Sequence, residues 1–181
     1  MPPGRATRPT SDRAREGLFA AVTALLGSLE GTSVLDLYAG SGAVGLEALS
    51  RGAADVLMIE SHPGAAQVIR RNIESVRLPG ARLVQDRVSR ALRRGPGPAG
   101  PRHLVFADPP YSAGDDELSD MLVTLADRGW LTSDALVVLE RDARSDAPRW
   151  PRGYSQERSR RYGETLLWYG RASGAVPAAA E

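Results

Sequence analysis

Short apolar runs alternate along this chain with longer segments whose apolar residues recur every three or four positions. Runs of four to six residues predict buried strands, and the helical period predicts amphipathic helices. The predicted strands lie at residues 34–38, 55–60, 82–85, 103–107 and 135–140. The predicted helices run from 11 to about 29, from the mid-40s to about 52, from 63 to 76, from 88 to 93 and from 117 to 128. Such alternation predicts an α/β fold, a mainly parallel sheet with helices on both faces.

The C-terminal part of the chain breaks this alternation. Residues 155–161 and 165–169 flank a Tyr-Gly-Glu turn and predict a β-hairpin, which adds an antiparallel edge and brings the sheet to seven strands. We expect a basic N-terminal segment at residues 1–10, one domain at 11–170, and a disordered tail at the Ala-, Gly- and Pro-rich residues 171–181.

A glycine-rich turn joins the first predicted strand to the helix that follows it. Its glycines are Gly40, Gly42 and Gly45. A turn of this kind lets backbone N–H groups approach a ligand closely at the positive end of a helix. A G-x-G-x-x-G pattern alone is weak evidence, but here it follows a strand and opens a helix, as a nucleotide-binding turn requires.

Acidic residues mark the carboxyl ends of the predicted strands, where parallel sheets bind their ligands. Glu60 comes twenty residues after Gly40, a spacing that suits a carboxylate accepting hydrogen bonds from a ribose diol. Asp86, at the end of the next strand, is placed to contact an adenine edge. These groups predict a cofactor that contains adenosine, either a nicotinamide dinucleotide or S-adenosylmethionine.

Three features favour S-adenosylmethionine. Asp36, inside the first strand, would attract a cationic amino or sulfonium group and repel a pyrophosphate. The glycine turn contains no basic residue that would offset phosphate charge. In Asp108-Pro109-Pro110-Tyr111, a carboxylate and a proline-stiffened carbonyl can accept the N–H groups of an exocyclic base amine, and Tyr111 can stack on a flipped base. Catalysis would then rest on positioning, without a metal.

The chain resembles the Rossmann-like class I methyltransferases, which depend on S-adenosylmethionine, and among them the RsmD-type family of 16S ribosomal RNA guanine-N2 methyltransferases. The matching segments are residues 8–10, 12–19, 34–52, 56–60, Asn72, 108–111 and 162–165. The glycine turn and Asp-Pro-Pro-Tyr indicate amino-methylation in general. The Arg-Pro-Thr sequence and the helix after it point to this family.

The resemblance also implies roles for individual residues. Seven would bind the cofactor: Asp36, Tyr38, Gly40, Gly42, Glu60, Asp86 and Asp108. Four would hold the guanine amine and carry catalysis: Asp108, Pro109, Pro110 and Tyr111. Three would lie beside the active site and contact RNA: Arg8, Thr10 and Arg13. The implied partner is 16S ribosomal RNA or the assembling 30S subunit, and we expect a monomer.

The amino-acid composition excludes several kinds of site chemistry. The chain has 181 residues, a formal net charge of +1 and no Cys, so disulfides, thiolate chemistry and Cys-ligated zinc are excluded. No apolar run reaches the length of a membrane span, and no secretory signal is visible, so we expect a cytoplasmic location. Members of the family usually begin with a short basic strand pair, whereas only seven residues precede Arg8 here. We expect a truncated start or a reduced RNA-docking surface.

Other interpretations of the same residues remain open. The tetrapeptide at 108–111 could hold the amine of adenine in an N6-methyltransferase that acts on DNA or RNA. A nicotinamide-dependent oxidoreductase and a non-catalytic RNA-binding protein are the rivals from other classes. Asp86 could be a helix N-cap, Gly45 could serve packing alone, and His62 and His103 are expected to be structural.

Overall fold

The computed structural model of the protein describes residues 11–173. It contains five α-helices, α1 to α5, at Asp12–Leu26, Ala43–Ser50, Pro63–Val76, Val88–Arg93 and Asp115–Asp127. Its seven strands, β1 to β7, are Ser33–Leu37, Asp55–Ile59, Ala81–Val84, Arg102–Ala107, Leu131–Asp142, Tyr154–Tyr162 and Thr165–Ala172. A short 3₁₀ helix at Gly97–Ala99 lies between α4 and β4.

All seven strands form one sheet in the order β3-β2-β1-β4-β5-β7-β6. The first five strands are parallel, and β7 lies antiparallel between β5 and β6. This confirms the predicted α/β sheet with a C-terminal antiparallel hairpin. The strand order reverses between β1 and β4, and in open α/β sheets the ligand crevice lies at that point, outside the carboxyl ends of the strands.

The sheet separates two apolar cores because successive strand residues point to opposite faces. On one face, Phe19 of α1 and Ile69 of α3 belong to the cluster that contains Val34. On the other face, Leu92 of α4 and Leu122 of α5 belong to the cluster that contains Leu35. Both faces of β1 are therefore covered, which explains why it reads as a continuous apolar run.

Local chemistry sets several helix ends. The Ser11 side chain accepts a hydrogen bond from the Ala14 N–H at 3.2 Å and caps α1. At α3, Pro63 occupies the first turn and the His62 ring accepts from the Ala65 N–H at 3.3 Å. His62 thus has the structural role that we expected.

The structure corrects several boundaries. Strand β5 extends in both directions beyond the predicted 135–140, because strand pairing continues through polar residues that carry no apolar signal. Strand β7 continues to Ala172 by pairing with Tyr154 of β6, so two residues of the predicted tail belong to the sheet. Residues 174–181 lie outside the described part. Val76, in the last turn of α3, is 44% exposed.

Within residues 11–173, every helix is too short or too polar to cross a lipid bilayer.

Candidate active site

The turn after β1 has an unusual backbone. Tyr38, Gly40 and Gly42 all have positive φ, at 57°, 59° and 79°. Such a φ is uncommon for a bulky residue such as Tyr38, and strain of this kind is concentrated at functional sites. No atom lies within 4 Å of the position that a Cβ on Gly40 would occupy, so a ligand can approach the backbone there. Burial, followed by the charge of Glu117, raises the pKa of Tyr38 to about 12, so its hydroxyl stays protonated.

Two side chains from other elements hold this turn. One Glu60 carboxylate oxygen accepts from the Gly40 N–H at 2.8 Å, and the other accepts from the His62 N–H at 2.8 Å. From α3, the Asn72 amide donates to the Ser41 carbonyl at 2.9 Å. Each Glu60 oxygen retains a lone pair for a further donor, as the predicted ribose contact requires. Asn72 matched the family in sequence, but only the folded chain reveals its contact with the turn.

Asp36 lies beneath the turn and is only 1% exposed. Its carboxyl accepts from the Gly45 N–H at 3.0 Å. A Cβ on Gly45 would lie 3.1 Å from that oxygen and 2.9 Å from Val56, so this glycine serves both packing and the hydrogen bond. Burial raises the pKa of Asp36 to about 8; the Gly45 hydrogen bond opposes the shift and Glu60 adds to it.

The tip of β4 lies beside the tip of β1. The Asp108 N–H donates to the Leu37 carbonyl at 3.4 Å, so the predicted tetrapeptide begins next to the glycine turn. Asp108, Pro109, Pro110 and Tyr111 line one cleft at the surface of the protein. Tyr111 is 79% exposed, so its ring is accessible to a base that enters the cleft. The structure therefore brings the predicted amine-binding residues to the same edge as the predicted cofactor turn.

A further carboxyl, Glu140 at the carboxyl end of β5, lines the same cleft. It is 9% exposed. Burial, followed by repulsion from Glu140 and then from Asp36, raises the pKa of Asp108 to about 8. The sequence places Glu140 after an apolar run, like the other acidic strand ends, but its proximity to Asp108 depends on which strands pair.

Asp86 follows β3, at the edge where adenine contact was predicted. Its two oxygens accept from the Arg87 N–H and from the Arg94 guanidinium, each at 2.7 Å. The Arg94 hydrogen bond is the main cause of a pKa below the usual value for Asp86. The alternative that Asp86 is the N-cap of α4 is wrong, because Arg87 occupies that position and no side chain caps the first-turn N–H groups of α4. The adenine contact stays a prediction.

The predicted RNA-binding residues are described only in part. Arg13 lies exposed in the first turn of α1, whereas Arg8 and Thr10 fall outside the described residues. One turn further along, Gly17 packs against the Tyr162 ring, which a Cβ at that position would overlap. Thr165, which follows Tyr162 across the hairpin turn, lines the cleft. The helix that carries Arg13 is therefore packed on the hairpin beside the site.

The rings of the two histidines have structural roles: His62 caps α3, while its backbone N–H holds Glu60. His103, at the amino end of β4, accepts from the Ser33 N–H at 3.1 Å, which agrees with a structural role. Among the described residues, no three His, Asp or Glu side chains form a group that could hold a metal ion.

The residues present fit S-adenosylmethionine. The space beside Gly40 admits a ligand against the backbone, and Glu60 offers carboxylate oxygens at the same turn. The buried Asp36 and the half-buried Asp108 lie close enough to repel each other, and both would gain from a positive charge between them.

Comparison with known proteins agrees with this geometry. A family model described as conserved hypothetical protein 95 matches residues 1–171. The chain is 34% identical over 164 residues to ribosomal RNA small subunit methyltransferase D of Escherichia coli K12, covering 91% of this chain and 79% of that protein. It is 31% identical over 134 residues to the Haemophilus influenzae protein of the same name, covering 74% of this chain and 67% of that protein.

Solved structures share the fold. The Escherichia coli protein YhhF has a TM-score of 0.80 at 32% identity, covering 92% of this chain and 89% of that chain. An RNA methyltransferase from Salinibacter ruber, in complex with S-adenosyl-L-homocysteine, has a TM-score of 0.67 at 12% identity, covering 96% and 99%, which shows a common fold. The sheet order, the glycine turn and these matches lead to one conclusion: the chain belongs to the family of ribosomal RNA small subunit methyltransferase D, the S-adenosylmethionine-dependent methyltransferases described as conserved hypothetical protein 95.

Proposed function

We propose that this protein transfers a methyl group from S-adenosylmethionine to the exocyclic N2 amine of a guanine in 16S ribosomal RNA. The observation that carries the proposal is the position of Asp108. Its backbone is bonded to the tip of β1, and its carboxyl lies near Asp36 and in the cleft that Tyr111 borders. The 34% identity to ribosomal RNA small subunit methyltransferase D supports the choice of RNA as substrate.

In this proposal the β1 edge holds the cofactor. Gly40 and Gly42 offer backbone at close range, and Tyr38 closes the turn. Glu60 accepts the ribose hydroxyls while it continues to hold the Gly40 N–H. Asp86 contacts the adenine edge, and Asp36 faces the cationic end. When bound, S-adenosylmethionine supplies an electrophilic methyl group whose bonding electrons remain on a neutral thioether sulfur.

The β4 tip holds the base. The Asp108 carboxylate and the Pro109 carbonyl accept the two N–H groups of the amine, which orients the nitrogen lone pair toward the methyl carbon. Pro109 and Pro110 fix the backbone of this turn, and Tyr111 stacks on the base. The nitrogen gains one carbon bond and loses one proton, and the Asp108 carboxylate is placed to accept it.

The RNA would reach the cleft over the N-terminal part of α1. Arg13 lies there, and Arg8 and Thr10 precede it in the chain. Arg side chains suit phosphate contacts because their planar guanidinium groups form paired hydrogen bonds. We place the protein in the cytoplasm as a monomer with one domain from residue 11 to the end of β7 at Ala172, acting on 16S ribosomal RNA or the assembling 30S subunit.

The test is methyl transfer from tritiated S-adenosylmethionine to 30S particles that lack this methylation, followed by nucleoside analysis. We expect N2-methylguanosine in 16S ribosomal RNA. N6-methyladenosine as the product, in RNA or in DNA offered in parallel, would favour the adenine-N6 alternative. Calorimetry separates the remaining rival, because binding of NADH without binding of S-adenosylmethionine would contradict the methyltransferase function itself.

A further inference from the structure

The chemistry proposed above leaves one buried acidic group of the cleft without a role. Glu140 ends the apolar part of β5 and is 9% exposed. The parallel pairing of β4 and β5 sets Phe106 against Val138 and Ala107 against Leu139. The next residue on each strand is Asp108 and Glu140, so their side chains follow those of Phe106 and Val138 on the same face of the sheet.

The side chains of Asp108 and Glu140 share one cleft. Both line the cleft that Tyr111 borders. Glu140 is also the largest source of charge repulsion on Asp108, ahead of Asp36. A base whose amine is held by Asp108 can therefore present ring nitrogen N1, beside that amine, to Glu140.

Guanine and adenine differ at that neighbouring position. In guanine, the N2 amine lies beside N1–H, so the edge offers three protons in a row. In adenine, the amine lies beside an N1 lone pair, which a carboxylate repels. An ionised carboxylate supplies acceptors only. Asp108, ionised once the positive charge of the cofactor is bound beside it, and an ionised Glu140 therefore match the guanine edge and oppose the adenine edge.

We propose that Glu140 accepts the N1–H of the target guanine and thereby selects guanine over bases that carry an equivalent amine without that proton. The inference rests on the proposed guanine-N2 activity and names the residue that sets its base specificity. Glu140 is a specificity-determining residue, whereas Asp108 holds the reacting amine.

The test compares guanine with 2-aminopurine at the target position of 16S ribosomal RNA in reconstituted 30S particles. 2-Aminopurine keeps the amine but has a lone pair at N1. We expect the wild-type protein to prefer guanine in kcat/KM by at least about tenfold, because the lone pair faces a carboxylate. Methylation of both bases within about twofold would overturn the proposal, whatever any variant does.

The variant Glu140→Gln sharpens the comparison. Its amide can donate to the 2-aminopurine N1, so the preference for guanine should fall by about tenfold or more, while the affinity for S-adenosylmethionine stays within about threefold. Dividing the two preferences cancels the effect of the oxygen that 2-aminopurine lacks at position 6. A merely structural role of Glu140 would lower both rates together and leave the preference unchanged, which would contradict the proposal.

Asp142→Asn provides the matched control. Asp142 lies two residues further along β5 and lines the same cleft, and its side chain accepts from the Arg144 N–H at 2.8 Å. Loss of its charge should leave the preference at the wild-type value, and an equal change in both variants would contradict a specific role for Glu140. If the wild-type protein methylates no guanine, the proposed function fails; if it methylates guanine with an unchanged preference in Glu140→Gln, only this inference fails.

Discussion

Asp55, at the amino end of the central sheet, and the pair Asp36 and Asp108, at the tips of β1 and β4, are held in opposite ways. At the amino end, Asp55 of β2 is paired with Arg82 at 2.8 Å and with the buried Arg102. Burial alone would raise its pKa, but the hydrogen bonds from Arg82 and Arg102 outweigh it and hold the pKa below the usual value. At the carboxyl end, burial raises the pKa of both Asp36 and Asp108 to about 8.

We interpret the contrast as one between a structural ion-pair site around Asp55 and a ligand-binding site around Asp36 and Asp108. The ion pairs at the amino end compensate each charge within the chain. At the carboxyl end, the described residues place no cationic side chain within 4.0 Å of Asp36 or Asp108. Carboxyls that repel each other and lack a cationic partner lower the stability of the ligand-free protein, and a bound cation offsets this repulsion. We infer that the positive charge of the bound cofactor compensates Asp36 and Asp108, which lack a cationic partner among the described residues.

The largest expected effect is the loss of stability when the Asp55 carboxylate is removed. Asp55→Ala leaves the Arg102 guanidinium, which is fully buried, without its carboxylate. Removal of one partner from a buried pair costs about 3–5 kcal/mol, so urea unfolding should show a loss of that order. Arg82→Ala is the control, because the Arg82 side chain is 47% exposed and its loss should cost about 1 kcal/mol or less. Equal losses in the two variants would contradict the assignment.

Asp108→Ala should show the reverse pattern at the carboxyl end. Loss of the group that orients the amine should lower kcat by about 10²–10³-fold, the range for one preorganised hydrogen-bonding group. Thermal stability of the ligand-free protein should not fall, since the variant removes a buried carboxyl that two others repel. Single-turnover methyl transfer and melting curves measure the two effects. Unchanged transfer would exclude a catalytic role for the tetrapeptide.

Gly45→Ala tests the contact between the turn helix and the sheet. The added Cβ would lie 2.9 Å from Val56 and 3.0 Å from Met58, so we expect a loss of about 1–3 kcal/mol in stability from overpacking. Weaker cofactor binding should accompany it, because the Gly45 N–H holds Asp36. Gly114→Ala is the control, since no atom lies within 4 Å of its Cβ position. A fully stable Gly45→Ala protein with normal cofactor affinity would contradict this packing role.

A further expected effect is a dependence of stability on pH. Asp36 and Asp108 have folded pKa values near 8 and an unfolded value of 3.8, so the folded protein binds more protons between these limits. Stability of the ligand-free protein should therefore fall as the pH rises from 5 to 8. Asp55 has a lowered pKa, and its contribution is lost only as the pH falls below its unfolded value. Melting curves across this range measure the slope, and a rise in stability toward pH 8 would contradict it.

Cofactor binding should reverse that dependence. A cation between the carboxyls favours their ionised forms, so binding at pH 7 should release protons, and affinity should rise by at most about tenfold per pH unit for each proton released. Calorimetry in two buffers of different ionisation enthalpy counts the protons. Asp36→Asn should release fewer than the wild-type protein, and equal numbers would place the titrating group elsewhere.

Local patterns in the sequence predicted much of this architecture. Apolar runs located the five parallel strands, and the acidic strand ends marked the ligand edge. The Tyr-Gly-Glu turn located the hairpin of β6 and β7, because β6 is mostly polar. The glycine turn and Asp108 could be placed together because the edge rule for parallel sheets holds without knowledge of strand order. The roles assigned to individual site residues remain predictions.

Other features depend on contacts that are distant in sequence. The hydrogen bond from Asn72 to Ser41 joins α3 to the turn, and the proximity of Glu140 to Asp108 follows from the pairing of β4 with β5. The true extent of β5 and β7 is set by pairing partners as well as by apolar composition. The mistaken N-cap alternative for Asp86 arose because an acidic residue before a helix reads locally as a cap, whereas Arg94 engages its carboxylate in the folded chain.

The most direct test of the central claim is the position of the sulfur atom in a crystal structure of this protein with S-adenosyl-L-homocysteine. We expect the ribose against Glu60, the backbone of Gly40 in contact with the ligand, and the sulfur in the space between Asp36 and Asp108. A ligand bound elsewhere, or a sulfur that faces away from Asp108, would contradict the account.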